Sequence, residues 1–189
     1  MEEKHKGRSS LLPGCEEAAV TMEGLGEWAR AYNASSAHKL RVRDGMLRLA
    51  MGDVMTVYMG IGRGDGGRVV VETIRAFGPR EKVERPFFSD LVRLMTVLQG
   101  DGHGESRYAV YQQVTQQLHA MLEEEGLEKV KLQSAVALVD SYADLFVSRC
   151  VVCERVVSAE GHVPAVVRWW TGGGWRKRHI GCAIGQWSD

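Results

Sequence analysis

The sequence predicts an α+β fold: an antiparallel sheet of about four strands, then three helices, then a small C-terminal metal-binding hairpin. Three observations predict it. Apolar and polar residues alternate over 39–77 with turn signals between the runs, as half-buried antiparallel strands require. Over 86–147 apolar residues recur every three or four positions, the period of amphipathic helices. Near the C-terminus, Cys150-Val151-Val152-Cys153 and His179-Ile180-Gly181-Cys182 supply two short chelating pairs. Strands first and helices afterwards is the α+β order, with helices packed on one sheet face.

The 189 residues suffice for one sizeable domain with a small appendage, and 44% of them are apolar, enough for a core. Lysine and arginine number 24, aspartate and glutamate 24. This balance argues against direct nucleic-acid contact through a basic domain, while leaving a local basic patch open. No apolar run approaches the roughly 20 residues that span a bilayer, and Met1 to Pro13 lacks the apolar core of a signal peptide. The expectation is no membrane and a reducing compartment, where cysteines serve metals rather than disulfides. Cys15, alone in a polar segment, reads as a spare thiol.

Taken in order, residues 1–20 are charged and poorly patterned and read as a flexible tail. Residues 21–147 form the α+β domain and 148–189 the metal-binding segment. Met22, Leu25, Trp28, Ala29 and Tyr32 set a short amphipathic helix over 21–36. Leu40 and Val42 alternate with basic residues, Asp44-Gly45 marks a tight turn, and Met46 to Ala50 returns. Strands over Val54–Met59 and Arg68–Phe77 follow, joined by the glycine-rich loop Gly60–Gly67. Pro86 suits the start of a helix on which Leu91, Leu94, Met95 and Leu98 share a face. Gly100 to Gly104 breaks it. The next helix spans about Glu105–Glu125, with Tyr108, Tyr111, Val114, Leu118, Met121 and Leu122 on its apolar stripe. A third runs from about Leu127 to Val147, burying Leu132, Val136, Val139, Tyr142 and Phe146. Val156, Val157, Val166 and Val167 suggest a small hairpin around Pro164.

The strongest chemical signal is the pair of chelating motifs. Zn2+ prefers thiolate and imidazole in a tetrahedron, and Cys-x2-Cys brings two thiolates to one ion from a tight turn. Cys150, Cys153, His179 and Cys182 are the expected ligands of one structural zinc. Four protein ligands leave no position for substrate, which argues against a catalytic metal. His162 competes with His179, but it sits in a Glu-Gly-His-Val-Pro turn without a paired cysteine. So short a hairpin has little core, and the metal would supply much of its folding free energy.

Other motifs carry less. Gly62-Arg63-Gly64-Asp65-Gly66-Gly67 spells a dinucleotide fingerprint, but Val69-Val70-Val71 follows where the fingerprint needs a helix. It reads as a hairpin connection, and the embedded Arg-Gly-Asp as chance. Trp169, Trp170, Trp175, Arg176, Lys177 and Arg178 form an aromatic-basic cluster. It suits either packing of the hairpin on the helices or nucleic-acid contact by stacking. Ser106 and His103 lack any triad context, and Glu123-Glu124-Glu125 reads as a solvated helix end. No enzyme signature stands out.

Two stretches together resemble the Mediator subunit 27 family. Glu105 to Thr115 is similar to the segment in which a Ser-x-Tyr-x-Val-Phe/Tyr pattern opens a helix and a Val/Ile-Thr pair follows. Leu145-Phe146, then Cys150-x2-Cys153 and His179-x2-Cys182, is similar to that family's C-terminal zinc-binding segment. Asp53-Val54-Met55-Thr56-Val57-Tyr58 is a weaker third match. The matches keep the family's order from about Arg41 onward. The family's long N-terminal helical segment is largely absent, and Trp169-Trp170-Thr171-Gly172-Gly173-Gly174-Trp175 replaces its usual Pro-Pro-Thr-Trp-like stretch. The resemblance implies a nuclear, non-enzymatic subunit in the tail region of the Mediator coactivator, which links activators to RNA polymerase II. Its partners would be other Mediator subunits and, through them or directly, activators, with no small-molecule substrate. Natural contact sites would be Phe87-Phe88 or the tryptophans. The alternatives are a zinc-ribbon nucleic-acid module using Trp169 to Arg178 and, behind it, a zinc hydrolase.

Overall fold

Four strands form a meander, β1 (Lys39–Arg43), β2 (Met46–Met51), β3 (Met55–Arg63) and β4 (Val69–Phe77), each antiparallel to its neighbour. The computed structural model describes residues 12–14, 17–83, 104–126 and 129–183. The turn between β1 and β2 places Asp44 and Gly45 at φ 49° and 74°. Two successive positive φ values are what a hairpin whose turn follows strand twist requires, and Asp-Gly meets them at low cost.

Cross-strand register explains the sheet's two faces. Leu40, Leu49, Val57 and Ala76 form one row and Val42, Leu47, Met59 and Ile74 the next. All except Val42 are buried. A bulge then interrupts β4: Thr73 pairs with Gly60 and Val71 with Ile61, so Glu72 has no opposite residue. The extra residue shifts the phase, and Val69 and Val71 join the buried face with Ile74 and Ala76. It also accounts for two glycines inside β3. A Cβ at Gly60 would meet Thr73 Oγ1 at 2.4 Å, and one at Gly62 would meet Glu72 Oε1 at 1.8 Å. Gly62, the first glycine of the apparent fingerprint, thus makes room for the bulge. As expected, β4 follows the loop directly, with only a short 3-10 turn over Asp65–Gly67.

Helices α1 (Leu25–Ser35), α2 (Ala109–Glu125) and α3 (Leu132–Asp140) cover the apolar face, α1 against β1 and the other two against β4. Both sheet edges are occupied by side chains. Asn33 of α1 accepts from the Leu40 N–H and donates to the Leu40 carbonyl, each at 2.7 Å, as a neighbouring strand would. On β4 the buried Ala76 N–H donates to Thr115 Oγ1 of α2 at 2.9 Å. Thr115→Val keeps the shape and leaves that amide unpaired. It should cost about 1–3 kcal/mol in urea unfolding.

The helices depart from expectation at their ends. The helix expected to start near Pro86 lies, with Phe87-Phe88, outside the described residues. α2 begins at Ala109 rather than near Glu105. Ser106 is drawn off the helix because its hydroxyl donates to Glu81 Oε2 at 2.7 Å and accepts from the Tyr108 N–H at 3.2 Å. Glu81 also accepts from the Gly78 and Arg107 N–H groups at 2.9 and 2.8 Å. Partial burial alone would raise the Glu81 pKa, but these hydrogen bonds and the Arg107 charge lower it below the ordinary carboxylate value. A lowered folded-state pKa stabilises above the unfolded value and is lost as pH falls through the folded one. The cost of Glu81→Gln should therefore be present at pH 7 and vanish on acidification below the ordinary glutamate range, read by melting the two proteins side by side.

α3 stops at Asp140, where the sequence pattern runs on to Val147. The Ser141 hydroxyl bonds the Leu138 carbonyl at 2.6 Å, and the chain continues in tight turns from Tyr142 to Val147. These turns bury Leu145 and leave Phe146 44% exposed, edge-on to Tyr111 at 6.4 Å, so Phe146 is not a core residue. Tyr108 likewise sits ahead of α2, 48% exposed. The stretch read as a flexible tail is also corrected in part. Leu12 and Val20 are buried, and the Pro13, Glu17 and Ala18 carbonyls accept from Ser134, Lys131 and Gln133. Apolar side chains too sparse to show a period still join the core, and the Val20 carbonyl accepts from the Val69 N–H of β4 at 2.8 Å.

Candidate metal centre

After the turns, the chain enters the Cys150–Cys153 knuckle. Cys150 is buried, its N–H donates to the Arg155 carbonyl at 2.9 Å, and its carbonyl accepts from the Glu154 N–H at 2.9 Å. Glu154 takes φ 59°, the left-handed turn that closes the knuckle. The Val152 N–H points at Cys150 Sγ from 3.4 Å, and the Val151 N–H donates to the Lys177 carbonyl at 2.9 Å. That last bond ties the knuckle to a two-stranded sheet, β5 (Val167–Trp170) and β6 (Trp175–Arg178). β6 leads directly to His179 and to the single turn α4 (Ile180–Ala183), which carries Cys182.

The four expected ligands thus converge, with Cys150, Cys153, His179 and Cys182 offering ligand atoms all within 4.8 Å of one another. A tetrahedral zinc with bonds of about 2.3 Å to sulfur and about 2.0–2.1 Å to nitrogen spaces its ligands roughly 3.5–3.8 Å apart. His179 Nδ1 lies 3.3 Å from Cys153 Sγ and 3.9 Å from Cys182 Sγ. Its Nε2 lies 3.2 Å from the Val156 carbonyl, which accepts the ring N–H and leaves Nδ1 as the nitrogen available to a metal.

The thiols carry the electrostatic mark of a cation site. Burial opposes ionisation of Cys150, yet hydrogen bonds from the Cys153, His179 and Val152 N–H groups and from the Cys153 side chain outweigh it, bringing its pKa down to about 6. Cys182 is pushed up to about 11, by desolvation first, then by hydrogen bonding and charge from Cys153 and Cys150. Three thiolates crowded together repel, and a divalent cation is the charge that lets all ionise. The donor set fits zinc. His162 is exposed in a turn at φ 52° and takes no part.

The hairpin differs from expectation. Val157 and Pro164 form only an isolated bridge, and the larger hairpin turns at Thr171–Gly174. Its faces separate the aromatic-basic cluster by alternation: Val167, Trp169, Arg176 and Arg178 on one side, Arg168, Trp170, Trp175 and Lys177 on the other. All three tryptophans are half-buried. Trp175 packs on the core and meets Trp170 edge-on at 5.5 Å, while the Arg178 guanidinium lies 4.8 Å over Trp169.

Arg168 was not foreseen. Its side chain is fully buried, 4.6 Å over the Tyr142 ring. It donates to the Ser141 carbonyl at 3.3 Å and to the Ala165 carbonyl, and faces Asp144 at 3.8 Å. Lys177 pairs with the same Asp144. The Tyr142 hydroxyl donates to the Val166 carbonyl at 2.7 Å. Burial lowers the guanidinium pKa and desolvation raises that of Tyr142. Together these groups clamp β5 and β6 to the turns after α3. An arginine amid Val and Trp in a short strand gives no local signal of such a role.

The family model of Mediator complex subunit 27 matches residues 101–183. No individual curated protein matches the chain. The matched stretch contains α2, α3, the Arg168 clamp and all four converging ligand residues. Over that part, which carries the candidate metal centre, the chain is similar to the Mediator complex subunit 27 family.

Proposed function

We propose that the chain is a non-enzymatic subunit of the Mediator transcription coactivator, a protein-interaction scaffold in its tail region. In this reading it acts in the nucleus and helps link activators to RNA polymerase II. Cys150, Cys153, His179 and Cys182 would hold one structural zinc. The observation that carries the reading is the coincidence of the family match with the four-ligand cluster. Four protein ligands complete a tetrahedron and leave no site for a metal-bound water or substrate.

Exposed apolar side chains flank the cluster: Phe146, Val147, Val151 and Val152 are 44, 74, 48 and 42% exposed. Such side chains grouped by a rigid clasp suit burial by an adjoining Mediator subunit. Tagged chain expressed in cells should recover Mediator subunits from nuclear extract, and recovery as a free monomer would overturn the reading. Val147→Asp should keep metal content and melting temperature while lowering that recovery severalfold.

A second reading rests on the outer face of β5 and β6, where Trp169 under Arg178 adjoins exposed Arg176. It would make the hairpin a nucleic-acid module. Binding of the purified chain to single-stranded DNA that weakens steeply with salt would favour it.

A further inference from the structure

The sheet face opposite the apolar one carries a row that crosses all four strands: Arg41, Arg48, Tyr58 and Arg75 are successive register partners. Lys39 and Arg43 lie on the same face of β1, two residues to either side of Arg41. Lys39, Arg41 and Arg43 are exposed and Arg48 is partly so. The one ion pair these four side chains make among the described residues joins Arg43 to the exposed Asp44 at 3.1 Å. Arg41 and Arg48 stand directly opposite each other, and like charges in that position are destabilising. Edge protection explains cations on β1, but Arg48 belongs to an inner strand. Arg48 is also pre-aimed: its Nε lies 3.3 Å from the Tyr58 hydroxyl and its guanidinium 6.0 Å from the ring centroid.

We infer that this face docks an extended acidic peptide segment of a partner protein. Side chains two apart on a strand are about 6.6–6.8 Å apart, and adjacent strands about 4.8 Å. Carboxylates at alternate positions of an extended peptide repeat at the same interval, so they meet Lys39, Arg41 and Arg43 in turn, with Arg48 bridging from the next strand. Arginine adds bidentate pairing to carboxylate. The anion relieves the Arg41–Arg48 repulsion, which the free protein bears. Single-stranded nucleic acid fits less well. Tyr58, the aromatic in the row, has Arg48 against it and Phe77 edge-on at 5.7 Å, so it offers a poor base-stacking platform. The surface lies outside residues 101–183 and stands independently of the Mediator reading.

The test uses the purified full chain with its metal content checked. Fluorescence polarisation is read with a labelled peptide alternating glutamate and threonine, its glutamine counterpart, and a single-stranded oligonucleotide. The glutamate peptide should bind, more weakly as salt rises, and the glutamine peptide at least tenfold more weakly. Arg41→Glu with Arg48→Gln should reduce glutamate-peptide binding at least tenfold. Arg41→Glu alone should melt no lower than the wild type, since it turns a like-charge pair into an opposite one, and Arg41→Gln serves as a milder second variant. Equal binding of the two peptides, unchanged affinity in folded variants, or preference for the oligonucleotide would overturn the inference.

Discussion

Cys182→Ser should lower bound zinc from about one ion per chain towards none, since a closed site needs all four ligands. Structural zinc contributes about 10–16 kcal/mol of apparent binding free energy in small peptide sites, so losing one thiolate removes much of what orders this segment. The loss should be regional. Amides of β5, β6 and the Cys150–Cys153 knuckle should exchange rapidly in the variant and after chelation. Those of β2 and β3, whose Leu47, Leu49, Met55, Val57 and Met59 are fully buried, should stay protected. Elemental analysis with hydrogen-exchange mass spectrometry reads both. Full retention of metal and protection would remove Cys182 from the ligand set.

Arg168→Ala should cost about 3–5 kcal/mol in urea unfolding. The change combines a cavity over the Tyr142 ring, two backbone carbonyls left without their donor, and the loss of the positive charge facing Asp144. Arg168→Met separates these effects. It refills most of the volume and removes the cost of burying a charge, so it should recover part of the loss. The Ser141 and Ala165 carbonyls would still lack a partner, at about 1–3 kcal/mol for a buried group. The expected order is wild type, then Met, then Ala. An alanine variant within about 1 kcal/mol of wild type would show that the Tyr142 and Asp144 contacts hold the hairpin without Arg168.

What the sequence revealed and what it hid follow from the range of the forces involved. The meander was legible because strand alternation and the Asp44-Gly45 turn are local, and the observed strands fall within a few residues of the expected ones. The convergence of Cys150, Cys153, His179 and Cys182 was legible because chelation demands two residues close in sequence twice over, a pattern needing no knowledge of the fold. The end of α3 was hidden. The Leu132-to-Phe146 periodicity is intact, but Arg168, 27 residues after Ser141, takes the Ser141 carbonyl. Leu12 and Val20 were hidden for a similar reason: they make no period, yet both join the core, Val20 beside β4, where its carbonyl accepts from the Val69 N–H at 2.8 Å. The start of α2 yielded to Glu81, a carboxylate 25 residues away from Ser106. In each case a long-range polar or packing contact overrode a local preference.

The unpaired Glu72 in β4 makes the strand one residue longer than its partner requires. Removing a neighbour such as Val70 would disturb the inside-outside alternation around it. Removing Glu72 would instead leave Thr73 on Gly60 and Val71 on Ile61, with every remaining side chain on its present face. A single-residue deletion, usually ruinous within a strand, has a permitted address here. A chain shortened by Glu72 alone should still fold onto the same buried surface.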